Sequence, residues 1–264
     1  MEVMNYPMAY VHPSAKIGEN VTISPFSTIM NDVEIGDGTW IGPNVTIMEG
    51  SRIGKNCKIY PGTVISGEPQ DLKYKGEKTL TFIGDNTTIR ECVTVNKGTD
   101  ALGYTKIGDN CLIMATAHIA HDCVIGNNVV IVNAVGLAGH IEVGDNAFIG
   151  GFSAVHQFTK IGEHSFIAGA TQVRKDVPPF VKAAKSPVAY AGINAIGLRR
   201  KGFSSEEIYE IQGIYRLIYQ QKYNVTQATE LILEQFPQSA HRDSILNFIQ
   251  SSERGIMKGY SSGS

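Results

Sequence analysis

The sequence predicts a mainly β fold: a parallel β-helix of hexapeptide repeats, closed by a C-terminal α-helical cap. Three observations predict it. An aliphatic residue recurs at every sixth position, small residues follow those aliphatics, and helical periodicity takes over after Pro178-Pro179. Stepping in sixes from Val11 gives Val11, Ile17, Ile23, Ile29 and so on to Ile65, each a β-branched aliphatic. The beat resumes at Ile83, Ile89 and Val95, and again from Ile107 through Leu137 to Val173. Neither a helical period of 3.6 nor a strand period of 2 produces it. A hexapeptide coil does, because each hexad supplies a short strand and a corner, with its aliphatic side chain in a narrow triangular core. Glycine after the aliphatic, as in Ile17-Gly18, Ile35-Gly36, Ile107-Gly108 and Ile161-Gly162, suits the backbone of a corner. Three hexads, about 18 residues, close one coil.

Two segments break the beat. Residues 66–82, which include Gln70-Asp71-Leu72-Lys73-Tyr74, are polar and lack the aliphatic positions; residues 99–106 form a shorter break. Repeats alone only stack, so insertions of this kind are where function is expected. After the two prolines, Ser204-Ser205-Glu206-Glu207 reads as a capping box. The helix behind it puts Ile208, Ile211, Tyr215 and Ile218 on one face. Further helices fit 226–236 and 241–252, Gly255 suits a stop, and Ser261 to Ser264 is expected to fray. The expected organisation is a β-helix over 1–186 with its inserted loop at 66–82, and a helical domain over 187–264.

Composition narrows the function. A formal charge of −2, from 23 basic and 25 acidic residues, lacks the basic excess of a nucleic-acid-binding surface. No apolar stretch of about 18 residues occurs, so no membrane span is expected. Met1 to Tyr10 lacks the basic-then-apolar order of a secretory signal. Cys57, Cys92, Cys111 and Cys123 show neither CxxC pairing nor metal-ligand spacing, and read as reduced packing residues of a cytoplasmic protein.

Folding the sequence at about 18 residues per coil gathers polar residues on one face. His121, Gly139 and Gln157 share a vertical file; Asp122 and His140 share the next; Ala120, Ala138 and His156 share the one before. His118 lies near the preceding corner. A single histidine on a solvated face needs no function, but His118, His121, His140 and His156, out of seven histidines in the chain, fall on successive coils. Three histidines also suit a catalytic zinc, although these spacings lack a close in-coil pair. A neutral imidazole titrates near working pH and can take a proton from a substrate hydroxyl. Asp122 is a candidate to orient it, although adjacent residues on a strand point opposite ways. The Gly139 N–H is a candidate donor to a developing oxyanion.

Several segments carry a resemblance. Gln70-Asp71-Leu72-Lys73-Tyr74, Ala117-His118-Ile119-Ala120-His121-Asp122-Cys123, Ala138-Gly139-His140, Ala154-Val155-His156-Gln157-Phe158, Asp176-Val177-Pro178-Pro179-Phe180 and Arg199-Arg200-Lys201-Gly202-Phe203-Ser204 resemble the UDP-N-acetylglucosamine O-acyltransferases, which open lipid A biosynthesis in Gram-negative bacteria. The similarity runs from Val11-His12-Pro13 to Ser251-Ser252-Glu253-Arg254-Gly255. The hexads are shared by many transferases; the Asp-Leu-Lys-Tyr loop, the double-histidine segment and the Arg-Arg cap in that order are specific. The resemblance implies a left-handed helix, a homotrimer with clefts between neighbouring chains, and no metal or coenzyme. It implies transfer of an (R)-3-hydroxyacyl group from acyl carrier protein to the 3-hydroxyl of UDP-N-acetylglucosamine.

Residue by residue, the resemblance makes His121 the general base and Gly139 the oxyanion donor. Asp71 and Lys73 would contact the glucosamine and acyl chain. His118, His140, His156 and Gln157 would line the nucleotide-sugar site, and Asn194, Arg199 and Arg200 would meet nucleotide or phosphates. Gly169 matches the acyl-chain ruler, where the absence of a side chain leaves room for longer chains. An arginine fork suits a diphosphate, and the Arg199-Arg200-Lys201 run suits docking of the acidic carrier protein. Ile196 stands where members of the family often carry Glu. Rival readings are the sister N-acyltransferase, which carries an N-terminal uridine-binding domain, a coenzyme A-dependent acetyltransferase, a metal-dependent hydratase and a purely structural solenoid.

Overall fold

A computed structural model describes residues 6–221 and 223–259, so the expected fraying of Ser261 to Ser264 and the first half of Met1 to Tyr10 lie outside the described residues. The chain winds into a three-sided coil. Among the described residues the first face has nine strands, from Tyr10–Val11 to Gln172–Val173, and the second has eight, from Lys16–Ile17 to Lys160–Ile161. The third has eleven and runs on into the cap. Successive coils pair in parallel with matching hexad positions, as in His118 with Gly136 and Gly136 with Ala154.

The hexad aliphatics fill the core. All are buried from Ile23 to Val173; only Val11 and Ile17, at the open end, are half-buried. Each buried aliphatic contributes about 1.5–3 kcal/mol against leaving it in water. Small hydroxyls sit at the corners of this core and tie coil to coil. Ser27 Oγ donates to the Gly42 carbonyl and accepts from the Val45 amide, so its burial leaves no unmade bond. Cys57, Cys111 and Cys123 are buried as packing residues. Cys92 departs from that expectation: it is exposed, at a corner with φ of 56°.

Both breaks are shorter than the sequence suggests, because strands extend into them. Val64–Gly67 and Leu80–Ile83 pair with neighbouring coils, which leaves 68–79 as the loop. Likewise Tyr104–Ile107 is a strand and the second loop closes before it. Each loop leaves the first face and returns on the second. They therefore emerge at the same edge of the prism, in consecutive coils.

The coil passes into the cap through an antiparallel hairpin, Val181–Ala184 with Ala189–Ile193, which continues the third face across residue 186. Four helices follow: α1 Ala195–Arg200, α2 Ser205–Tyr219, α3 Val225–Gln235 and α4 Ala240–Gln250. The α2 capping box is complete, with Ser204 Oγ accepting the Glu207 amide and Glu207 Oε2 accepting the Ser204 amide. Ile208, Ile211, Tyr215 and Ile218 are its buried face. α1 has no counterpart in the expected elements; Asn194 caps it by accepting from the Gly197 amide. Gly255 falls beyond the end of α4, at φ 70°, where the chain turns into the short strand Lys258–Gly259. Hydrogen bonds from Tyr215 to the Pro179 carbonyl and from Ser244 to Glu163 fasten the cap to the coil.

Candidate active site

The polar residues of the sequence gather on an edge rather than on a face. His121, Gly139 and Gln157 occupy successive corners between the first and second faces. These corners continue, coil by coil, the edge from which the two inserted loops emerge. At each corner the next residue is left-handed: Asp122 at φ 59°, His140 at 61° and Phe158 at 61°. Repetition of this strained conformation stacks those side chains in a column. His140 lies flat on Phe158, with ring centroids 4.5 Å apart, and edge-on to His121 at 5.1 Å.

This corner geometry removes the expected difficulty with Asp122. His121 and Asp122 sit in a turn, not on an alternating strand, so both side chains project together. His121 Nδ1 lies 2.8 Å from Asp122 Oδ2, and both residues are buried. Burial on its own raises the Asp122 carboxyl; hydrogen bonds from Thr99 and His121 outweigh it and hold the group below the ordinary range. An ionised carboxylate only accepts, so Nδ1 carries the proton, and in the neutral ring the lone pair is on Nε2. Nε2 faces the first inserted loop, 4.0 Å from Asp71 Oδ2. Asp71 is itself fixed by accepting the Lys73 amide, which turns the loop back and leaves the Lys73 side chain exposed.

Gly139 lies one coil along, against the same ring. A Cβ at this position would stand 2.6 Å from His121 Cε1 and 2.8 Å from Nε2, so only glycine lets the imidazole sit there. The Gly139 amide donates to no acceptor among the described residues, and neither do the amides of His121 and Gln157. His140 Nε2 is 3.8 Å from Asp122 Oδ2. Burial pushes the His140 pKa down, partly opposed by the Asp122 charge. From Asp122 and His140 a groove of about 1040 Å³ crosses the second face past Glu142 and Lys160 to Ser244 and Phe248 of α4.

The remaining sequence candidates are more dispersed. His118 is on strand His118–Ile119 of the first face, not at a corner, and its Nδ1 is 2.8 Å from Thr94 Oγ1. Burial lowers its pKa too. His156 and Gln157 are exposed at the next coil, the His156 ring turned to the Gln157 carbonyl. Asn194 spends its side chain on the fold, donating to the His164 carbonyl while capping α1. Arg199 and Arg200 are exposed on the last turn of α1, with Ile196 also exposed. This helix packs at the edge between the second and third faces, across the second face from His121. Gly169 is at the third edge, across the first face from the His121 edge and three coils along, ~14 Å at the usual strand spacing. One chain therefore does not bring Asn194, Arg199, Arg200 or Gly169 to His121.

Sequence reasoning missed three contributors at this edge: Phe158 under His140, and Thr99 and Thr105, which hydrogen-bond Asp122. The phase of the hexads carried a signal for them, since Ile65, Val95 and Ile119 all lie on strands of the first face and both breaks follow such a strand. Spacing also understated the metal alternative. His121, Asp122 and His140 offer one donor atom each within 4.8 Å of one another, because the coil joins residues far apart in sequence.

Comparison with known proteins sets this geometry in a family. The model described as "Udp N-acetylglucosamine O-acyltransferase; Domain 2" matches residues 176–257, and the six-repeat bacterial transferase hexapeptide model matches 32–67 and 104–139. An acyl-[acyl-carrier-protein]–UDP-N-acetylglucosamine O-acyltransferase of Chlorobaculum parvum is 55% identical over 251 residues, 95% of each chain. The protein of that name from a Sulfurihydrogenibium species is 56% identical over 252 residues, 95% of this chain and 93% of that one. The crystal structure of the UDP-N-acetylglucosamine acyltransferase of Bacteroides fragilis superposes with a TM-score of 0.95 at 47% identity, covering 97% of this chain and all of that one. The left-handed β-helix implied by the resemblance is thus the fold of this chain. With full-length identity above one half and the same architecture throughout, the chain belongs to the UDP-N-acetylglucosamine O-acyltransferase family.

Proposed function

We propose that this chain transfers an (R)-3-hydroxyacyl group from acyl carrier protein to the 3-hydroxyl of UDP-N-acetylglucosamine, the opening step of lipid A biosynthesis, with His121 as general base. The observation that carries it is the shared edge: two inserted loops and three polar corners on consecutive coils, converging on one imidazole whose Nδ1 is held by Asp122 and whose Nε2 faces the first loop. Family membership supports the donor and the acceptor.

In the proposed step His121 Nε2 takes the proton of the sugar hydroxyl, whose oxygen bonds to the thioester carbonyl carbon. Charge moves to the carbonyl oxygen, where the unpaired Gly139 amide donates. The intermediate collapses, the carbon–sulfur bond breaks, and the imidazolium returns its proton to the leaving thiolate. Asp122 holds the imidazole in one tautomer and balances its charge when protonated. Asp71 and Lys73 bind at the mouth of the site; His118, His140, His156 and Gln157 line the nucleotide sugar. Asn194 and the Arg199–Arg200 pair take the nucleotide and its phosphates, and Gly169 bounds the acyl chain. A homotrimer supplies what one chain lacks, by setting the cap and Gly169 of one copy beside His121 of another. The carrier-bound donor puts the proposed work in the cytoplasm; no helix among the described residues is long and apolar enough to cross a membrane.

The test is an assay of purified protein with UDP-N-acetylglucosamine and 3-hydroxyacyl carrier-protein thioesters of several lengths, with and without a chelator. Acylated sugar formed equally in both arms is expected. No product from any thioester would overturn the activity, and loss of product with chelator would give the His121, Asp122 and His140 cluster to a metal.

A further inference from the structure

We infer that Thr99 is a positioning residue for the acyl transfer: it grips both oxygens of Asp122 and so fixes the ring and tautomer of His121. This rests on the proposed role of His121 as base. The Thr99 amide donates to Asp122 Oδ1 at 2.9 Å, and Thr99 Oγ1 donates to Asp122 Oδ2 at 2.6 Å. The hydroxyl is itself oriented by accepting from the Ala101 amide at 3.3 Å. From behind, the Asp122 amide donates to Thr105 Oγ1 at 2.9 Å. Both Thr99 and Asp122 are buried, so water does not compete for these bonds.

The second break in the repeat now has a purpose. Val95 and Ile107 stand two hexads apart in sequence yet hold consecutive strand positions on the first and second faces. The excess chain forms the loop that carries Thr99 over the next corner down. An ordinary hexad corner has no residue there to bracket a carboxylate. Held by two donors, the Asp122 carboxylate cannot rotate about its own bond, and Oδ2 stays aimed at His121 Nδ1, 2.8 Å away. The Thr99 hydroxyl also shares Oδ2 with that ring, and so tempers how strongly the oxygen holds the imidazole proton. The other groups facing His121 are Asp71 from the first inserted loop, His140 from the next coil and His118 from its own strand, with Lys73 acting on His140.

The test uses the full-length enzyme. T99V keeps the shape and the amide bond and deletes the hydroxyl. Its kcat should fall about tenfold, with KM for the sugar within about twofold of wild type. The acid limb of its kcat/KM profile should move to higher pH by about half a unit, because Oδ2 is no longer shared. T99S, which keeps both bonds, should restore kcat to within about twofold. On a D122N background T99V should add less than about twofold, since its effect passes through the carboxylate. Wild-type kinetics in T99V, an undiminished T99V effect on the D122N background, or a T99V chain that fails to fold while T99S folds would each overturn the inference. Absence of transfer by the wild-type enzyme would instead overturn the acyltransfer activity, and this inference with it.

Discussion

Two edges of the same prism are built from the same hexad and end with opposite chemistry. At the edge between the second and third faces, the left-handed positions read Asn20, Gly38, Asn56, Asn86, Asn110, Asn128 and Asn146, and then His164. Beside them runs a ladder in which each side chain accepts an amide from the coil before: Lys55 to Asp85, Asp85 to Asp109, Asp109 to Asn127 and Asn127 to Asp145, at 2.7–2.8 Å. Every rung satisfies a backbone donor, so along these four coils the edge offers a ligand no free amide. At the edge between the first and second faces, the equivalent amides of His121, Gly139 and Gln157 have no acceptor among the described residues, and the left-handed column is Asp122, His140 and Phe158. The lesson is that a β-helix corner is a donor by default. It becomes structural where an Asx side chain closes it and available for chemistry where one is missing.

The largest expected effect separates the edges by function. His121→Ala should lower kcat by about 10³-fold or more, within the range for removing a general base, while the melting temperature changes little. Turnover near wild type would remove the base from His121. Its counterpart on the closed edge is Asp109→Ala, which strips one rung of the ladder. That variant should lose stability by about 1 kcal/mol and leave kcat per folded molecule unchanged.

The same glycine-to-alanine change should then read differently at each edge. At Gly84 an added Cβ would stand 2.2 Å from Asp109 Oδ1 and close to the next coil's backbone, so Gly84→Ala should destabilise by about 1–3 kcal/mol with normal kcat. At Gly139 the Cβ meets the His121 ring, a side chain that can swing aside. Gly139→Ala should therefore cut kcat about 10²-fold at little cost in stability. Denaturant melts and kinetics on the two variants check this together; matching profiles would erase the distinction between the edges.

Much of this contrast is legible in the sequence. Ile-Gly followed by an acidic or amide residue and then Asn, as at 83–86, 107–110 and 125–128, spells out the closed edge coil by coil. The aliphatic beat fixes the coil, and the coil fixes which histidines stack, so His121 above Gly139 follows from counting. What counting does not reach depends on backbone conformation at single residues. That Asp122 turns to meet His121 requires its left-handed φ, which alternation along a strand contradicts. That Thr99 reaches Asp122 requires the path of an irregular loop. α1 is too short to announce itself by periodicity, and its cap residue Asn194 is its one sequence signal. Cys92 shares the residue type of three core cysteines, but its corner position turns it outward.

A third edge offers a finer comparison. A Cβ at Gly169 would meet only backbone atoms of Gly151, the carbonyl oxygen at 3.1 Å and the nitrogen at 3.8 Å, and its φ is not left-handed, so a side chain is tolerated there with a small adjustment. Gly169→Met should therefore fold, and should shift preference toward shorter 3-hydroxyacyl thioesters by about tenfold or more in relative kcat/KM. An unchanged chain-length profile would take the ruler away from Gly169 and leave the three-edge picture with one functional edge.

The smallest effect concerns pH. His118 on the first face, His140 at the open edge and His164 at the closed one are all pushed below the ordinary 6.5, chiefly by burial. A lowered histidine pKa is thus no mark of the site; exposure of the neighbouring amides is. Because the folded values lie below the unfolded ones, the unfolded chain binds more protons as pH drops past 6.5, and stability falls toward acid until the folded values are passed. Asp122 adds to the loss lower down, since its folded pKa is below 3.8 and its contribution disappears as pH falls through that folded value. Replacing His140 with Gln, which cannot titrate, should flatten the dependence between pH 7.5 and 5.5 by about 2 °C in Tm or less. His164→Gln should flatten it comparably without touching kcat, whereas His140→Gln should also raise KM for the sugar. Equal kinetic effects of the two substitutions would mean that the closed edge takes part in catalysis after all.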